Sequence, residues 1–146
     1  MSKYVLSQRS IDRLEGVHRD LVSVIKLAIQ FTSIDFTVIE GLRSKERQVE
    51  LMAQSKKVTT TLKSRHIYGF AVDLGAYVDG HILYKPSMLY SKIALAMKRA
   101  AIQLKIPIVW GGDWKGAAGK LQDLGHFELS KKFYPDPREE TALETH

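Results

Sequence analysis

The chain contains no cysteine. Disulfides and thiolate metal centres are therefore excluded, and any bound metal must be held by nitrogen and oxygen donors. The same absence leaves the redox compartment unreadable. Proline is scarce, at four residues, and there is no internal repeat or low-complexity tract, so long disordered stretches are not expected. No apolar run approaches bilayer length, and Met1–Arg9 has no basic start followed by an apolar core. No export signal or membrane anchor is expected from this sequence.

What is present is the balance of an ordinary globular protein: 146 residues, 45% hydrophobic and 26% charged. A chain of this size buries a core without staples or partners. The formal charge of +6 is uneven, because Asp136 to His146 holds four acids against one arginine. The expected division is one domain over residues 1–135 and an acidic tail over 136–146. The basic body attracts polyanions, and nucleic acid, anionic lipid and anionic wall polymers all qualify. A merely solubilising surface explains the charge equally well.

Apolar spacing lays out an α+β order. Ser10 to Leu14 reads as a capped short helix, and Leu21, Val24, Ile25, Ala28 and Ile29 mark one face of a helix from Val17 to near Thr32. Asp35 to Ile39 reads as a strand broken at Gly41, and a helix is expected from Ser44 to about Gln54, followed by a loop to Ser64. Phe70 to Val78 reads as a strand, Asp79-Gly80 as a hairpin turn and Ile82 to Tyr84 as the return. Ser87 to Leu104 is a long amphipathic helix closed by Pro107. Ile106 to Trp110 is β-like, Gly111 to Gln122 a loop, and His126 to Leu129 a last short strand.

Asp73 is the residue that demands an explanation, because Val72 and Leu74 flank it. A carboxylate in an apolar strand is costly unless a cation or several donors compensate it, and a divalent metal or an ion pair with Arg or Lys would each serve. His66 lies seven residues before it, and the polar cluster Asp123 to Glu128 contains His126. Two His and one Asp give zinc three ligands and leave a position for water, the composition of a hydrolytic site. The spacing alone does not restrict the reading, since a loop His is commonly a surface or core residue. His18 and His81 read as exposed structural residues, and His146 is terminal. Trp110 reads as packing, whereas Trp114 suits the wall of a cleft. Arg43 follows the strand-breaking Gly41, which suits a group aimed into a cleft, although pairing with an acid is the ordinary alternative.

The segments S-R-H-x-x-G-x-A-V-D-L (from Ser64), W-G-G-D-W (from Trp110) and D-x-x-H-F-E-L (from Asp123) occur in this order. Together they resemble the D-alanyl-D-alanine carboxypeptidase and endolysin peptidase superfamily, and within it the bacteriophage L-alanyl-D-glutamate peptidases. The likeness extends to R-L-E-G-V-H at Arg13 to His18, the strand Asp35 to Val38 leading to Gly41-Leu42-Arg43, and the segment around Gln48. The resemblance implies helices packed on a small antiparallel sheet with zinc at its open face, the D-Ala-D-Ala metallopeptidase or Hedgehog-like fold. It implies zinc on His66, Asp73 and His126, a general base at Asp123 and a carbonyl-polarising cation at Arg43; Ser64 and Trp114 are the candidate substrate contacts.

In one place the chain departs from the pattern. The family often has D-x-P-H where this sequence has Asp123-Leu124-Gly125-His126, and the freer glycine is expected to loosen the geometry between base and ligand. Glu128 is a rival base, since it shares a strand face with His126, but the family pattern favours Asp123 and leaves Glu128 as an acceptor behind the ligand ring.

The function implied is an endolysin that cuts the L-alanyl-D-glutamate bond of peptidoglycan stem peptides with zinc-activated water and lyses the host. A D-alanyl-D-alanine carboxypeptidase or dipeptidase is the enzymatic alternative, and a non-catalytic wall-binding or nucleic-acid-binding protein the alternative from another class. The family reading implies a monomer with no nucleic-acid partner and no membrane anchor. It places the protein in the host cytoplasm until a holin-type partner gives it access to the wall in the periplasm.

Overall fold

A computed structural model describes residues 4–42, 50, 65–114 and 124–137. The first helix, α1 (Gln8–Arg13), starts where the hydroxyl of Ser7 accepts a hydrogen bond from the amide of Ser10 at 3.1 Å. The capping serine is therefore Ser7, three residues ahead of the expected Ser10. Ser10 instead turns inward, where its hydroxyl accepts from the Val38 amide at 2.9 Å and stitches the helix to the first strand.

The second helix, α2 (Arg19–Phe31), is capped by His18, whose Nδ1 accepts from the amide of Asp20 at 3.0 Å. His18 is half-buried rather than exposed, with its ring edge-on to Phe70 and Tyr134. His81 is exposed, as its place beside the hairpin turn implied. Helix α2 buries Leu21, Val24, Ile25, Ala28 and Ile29, the stripe that its spacing predicts. The third helix, α3 (Met88–Leu104), ends at Lys105 in left-handed backbone, two residues before Pro107. It packs on α2.

Among the described residues five strands form an antiparallel sheet: β1 (Phe36–Glu40), β2 (Ala71–Val78), β3 (His81–Leu83), β4 (Ile108–Trp110) and β5 (His126–Leu129). The order is β1-β2-β5-β4, with β3 paired to the far end of β2. Alternation along the strands sends Phe36, Val38, Val72, Leu74, Phe127 and Leu129 into the core that the helices cover. This is an α+β architecture of helices on a small open sheet. Tyr90, which the helical pattern did not single out, is wholly buried, donating its hydroxyl proton to Leu83 O and accepting from the Ala76 amide.

The glycine of the H-x-x-G segment has a local cause. Gly69 has φ +76°, and a Cβ there would meet Gly16 O at 2.4 Å. Only glycine combines that backbone with so close an approach. Its carbonyl accepts from the His18 amide at 2.8 Å, which joins the start of α2 to the turn that precedes β2.

The helix expected over Ser44 to Gln54 lies outside the described residues except at Glu50, as do most of the two expected loops. The loop after β4 opens with a short 3-10 helix, Gly111–Asp113. No helix among the described residues is long and apolar enough to cross a membrane.

Candidate metal centre

The strand register builds the site. Val72 and Leu74 point into the core, so Asp73 between them must point to the opposite face of the sheet. The apolar neighbours that made Asp73 look misplaced are thus on the other side of the strand. On β5 the same alternation buries Phe127 and Leu129 and turns His126 and Glu128 outward. In the pairing of β2 with β5, Asp73 stands directly opposite His126. Directly opposite residues on one face are within contact reach, and His126 Nδ1 lies 3.1 Å from Asp73 Oδ1.

His66 arrives from a short 3-10 helix, Arg65–Tyr68, that leads into β2. The residue is 3% exposed, too little to be a surface histidine. Nε2 lies 3.2 Å from Asp73 Oδ2, and Nδ1 lies 3.0 Å from the carbonyl of Gly41, just past the end of β1. Gly41 is pressed against α1, where a Cβ would meet Arg13 O at 2.2 Å, so the carbonyl that meets the ring is fixed by helix packing.

His66, Asp73 and His126 each present a ligand atom within 4.8 Å of the other two. Behind the cluster, His126 Nε2 lies 2.7 Å from Glu128 Oε1, and Glu128 Oε2 lies 3.3 Å from Arg65 Nε. Each imidazole therefore has one nitrogen toward Asp73 and the other on an outer acceptor, the arrangement that fixes tautomer and ring orientation in metal sites. Two imidazoles and one carboxylate, with no thiol, fit a divalent cation.

The charges respond to this crowding. Burial disfavours ionised Asp73, but hydrogen bonds from His126 and His66 outweigh it and hold the carboxyl well below the usual carboxylate range. Burial also opposes a proton on His126, yet Asp73 and Glu128 push its pKa up to about 9. A metal that takes the Asp73-facing nitrogen of His126 must displace that proton, so loading is coupled to proton release.

Trp114 is 40% exposed, with its ring 5.1 Å from that of His126. Trp110 stacks on Phe127 and donates its indole N–H to Leu124 O at 2.6 Å, which is a packing role. Arg43, Ser64 and Asp123 lie outside the described residues. The expected loosening between base and ligand falls on Asp123 and so lies outside the described residues; at Gly125 the Leu74 amide donates to the carbonyl at 2.8 Å, and a Cβ would meet Leu74 O at 2.4 Å. The glycine is there because β2 passes too close for a side chain, and His126 follows a pinned residue.

Arg65 was not singled out from the sequence. Its signal was a charged residue beside a candidate histidine in a short turn, which looks no different from a solvated one until its burial is seen. A groove of about 790 Å³ between α3 and the turn after β5, lined by Ile102, Ile108 and Phe133 among others, contains none of the clustered residues and is not the chemical site.

The fold has a counterpart in a known protein, and the sequence has relatives. The crystal structure of the L-Ala D-Glu endopeptidase ChiX of Serratia marcescens matches with a TM-score of 0.80 and 41% identity, covering 91% of this chain and 95% of that one. The L-alanyl-D-glutamate peptidase of Escherichia phage T5 is 26% identical over 134 residues, covering 86% of this chain and 98% of the relative. The family described as phage L-alanyl-D-glutamate peptidase matches residues 1–140. With nearly its whole length covered, the chain belongs to the phage L-alanyl-D-glutamate peptidase family.

Proposed function

We propose that this protein is a zinc peptidase that hydrolyses the bond between L-alanine and D-glutamate in peptidoglycan stem peptides. The observation that carries the reading is the convergence of His66, Asp73 and His126 on the open face of the sheet in a member of this peptidase family. These three residues would hold the zinc through the atoms around Asp73. Zinc bound there supplies an acidified water and polarises the scissile carbonyl.

The chain's own groups do the rest. Asp123 takes the proton of the attacking water and returns it to the leaving amine. Arg43 stabilises the negative charge that develops on the carbonyl oxygen. Trp114, half-exposed beside His126, walls the substrate cleft, and Ser64, next to Arg65 in sequence, contacts the substrate. Glu128 is a poor base, because one of its oxygens faces His126 and the other faces Arg65. Membership of a phage family supports the further reading of a monomeric lysis enzyme. It is held in the host cytoplasm until a holin-type partner admits it to the wall in the periplasm.

Mass spectrometry of fragments released from purified peptidoglycan tests the cleavage. The expected products carry a new amino terminus at D-glutamate, and chelation abolishes their release. Free D-alanine would make the protein a carboxypeptidase, and wall binding unaffected by chelator without any cleavage would make it a binding module. Arg43→Ala is expected to keep zinc and fold while slowing turnover by about two to three powers of ten, the effect of losing one oxyanion donor. Near-normal turnover would give Arg43 a structural role instead.

A further inference from the structure

We infer that Arg65 is a positioning residue for the metal centre, acting through Glu128 on His126, and that Asp136 holds Arg65 in place. The inference rests on the zinc reading above and concerns residues outside the ligand set. Arg65 is 8% exposed, and most of its guanidinium is matched by partners. Nη1 donates to Asp136 Oδ1, Nη2 donates to Leu129 O at 2.8 Å, and the group lies over the ring of Phe70 at 4.7 Å. The remaining nitrogen, Nε, is 3.3 Å from Glu128 Oε2, a charge contact without an aligned hydrogen bond.

Glu128 has three rotatable side-chain bonds and stands two residues from His126 on one strand face. Left alone, it would lose orientation at little cost. Arg65 removes that freedom on one oxygen, so the other is presented to His126 Nε2 at 2.7 Å. The ring then turns Nδ1 toward Asp73. A lysine could make one of these contacts; the planar fork of arginine makes several at fixed angles.

Arg65 also begins the short helix that carries His66. One buried guanidinium therefore connects the turn of one ligand histidine with the strand of the other. Through Asp136 it connects both to the segment that follows β5. Asp136, which the charge pattern assigned to a tail, is thereby anchored to the body of the fold.

The test is a double-mutant comparison of zinc affinity, measured by competition with a chromophoric chelator, with fold monitored by circular dichroism. Arg65→Gln is expected to weaken zinc binding by about 10- to 100-fold, the usual effect of removing an outer partner of a metal ligand. In a Glu128→Gln background the same substitution should produce little further loss. Equal losses in the two backgrounds would mean that Arg65 merely supports the His66 turn, and unchanged affinity would remove it from the centre altogether; either overturns the inference. Asp136→Asn, at a less buried position, provides the same reading if Arg65→Gln fails to fold. It should weaken zinc binding by a smaller factor that vanishes in the Glu128→Gln background, and no weakening or equal weakening overturns the inference. A wild-type chain that binds no zinc would instead defeat the zinc reading itself, and the inference with it, before any variant is made.

Discussion

His66→Ala is expected to lose stoichiometric zinc and peptidase turnover together while keeping its fold. His66 Nε2 faces Asp73 at 3.2 Å, and Nδ1 is backed by the carbonyl of Gly41, so the ring is already aimed before a metal arrives. Removing it leaves two donors where a hydrolytic zinc has three. A bound metal contributes several kcal/mol to the transition state, and at about 1.4 kcal/mol per tenfold its loss amounts to roughly three powers of ten in rate. Elemental analysis, turnover on purified peptidoglycan and circular dichroism read the three parts separately. A variant that retains stoichiometric zinc and normal turnover would take His66 out of the site.

Asp123→Ala is expected to separate proton transfer from metal binding. The substitution should leave zinc in place and slow turnover by about 10²- to 10⁴-fold, the range for a lost general base. Glu128→Gln is the companion measurement. Its carboxylate contacts His126 and Arg65, so its loss should show first as weaker zinc affinity and be offset in part by saturating zinc. The opposite pattern would exchange the two assignments: an active Asp123→Ala, with a Glu128→Gln variant that holds zinc normally yet does not turn over.

Local pattern carried most of the fold. The stripe of α2 and the alternation of His126 to Leu129 are written in spacings of three, four and two, and the hairpin in the turn chemistry of Asp79-Gly80, whose return strand begins one residue earlier than expected, at His81. Boundaries followed subtler competition, as at Ser7 and Ser10, where two similar serines were available and only tertiary packing decided which one capped α1. The three clustered residues were legible as types in suggestive places, but their meeting depends on β2 and β5 becoming neighbours, which no local period encodes. Arg65 was illegible for a related reason. A buried arginine differs from a surface one by its partners alone, and Leu129 and Asp136 are distant in sequence.

The pairing of Asp73 with His126 makes the chemistry depend on a count as well as on residue identities. Side chains in a strand change faces at every step, so a slip of β5 by one residue against β2 would put Phe127 beside Asp73 and drive His126 and Glu128 into the oily layer under the helices. The cost of burying those polar groups therefore guards the site against misalignment. A single-residue insertion or deletion within either strand should be far harder for this protein to tolerate than most substitutions at the same positions. The apolar residues that alternate with the clustered ones serve as the ruler that keeps them in step.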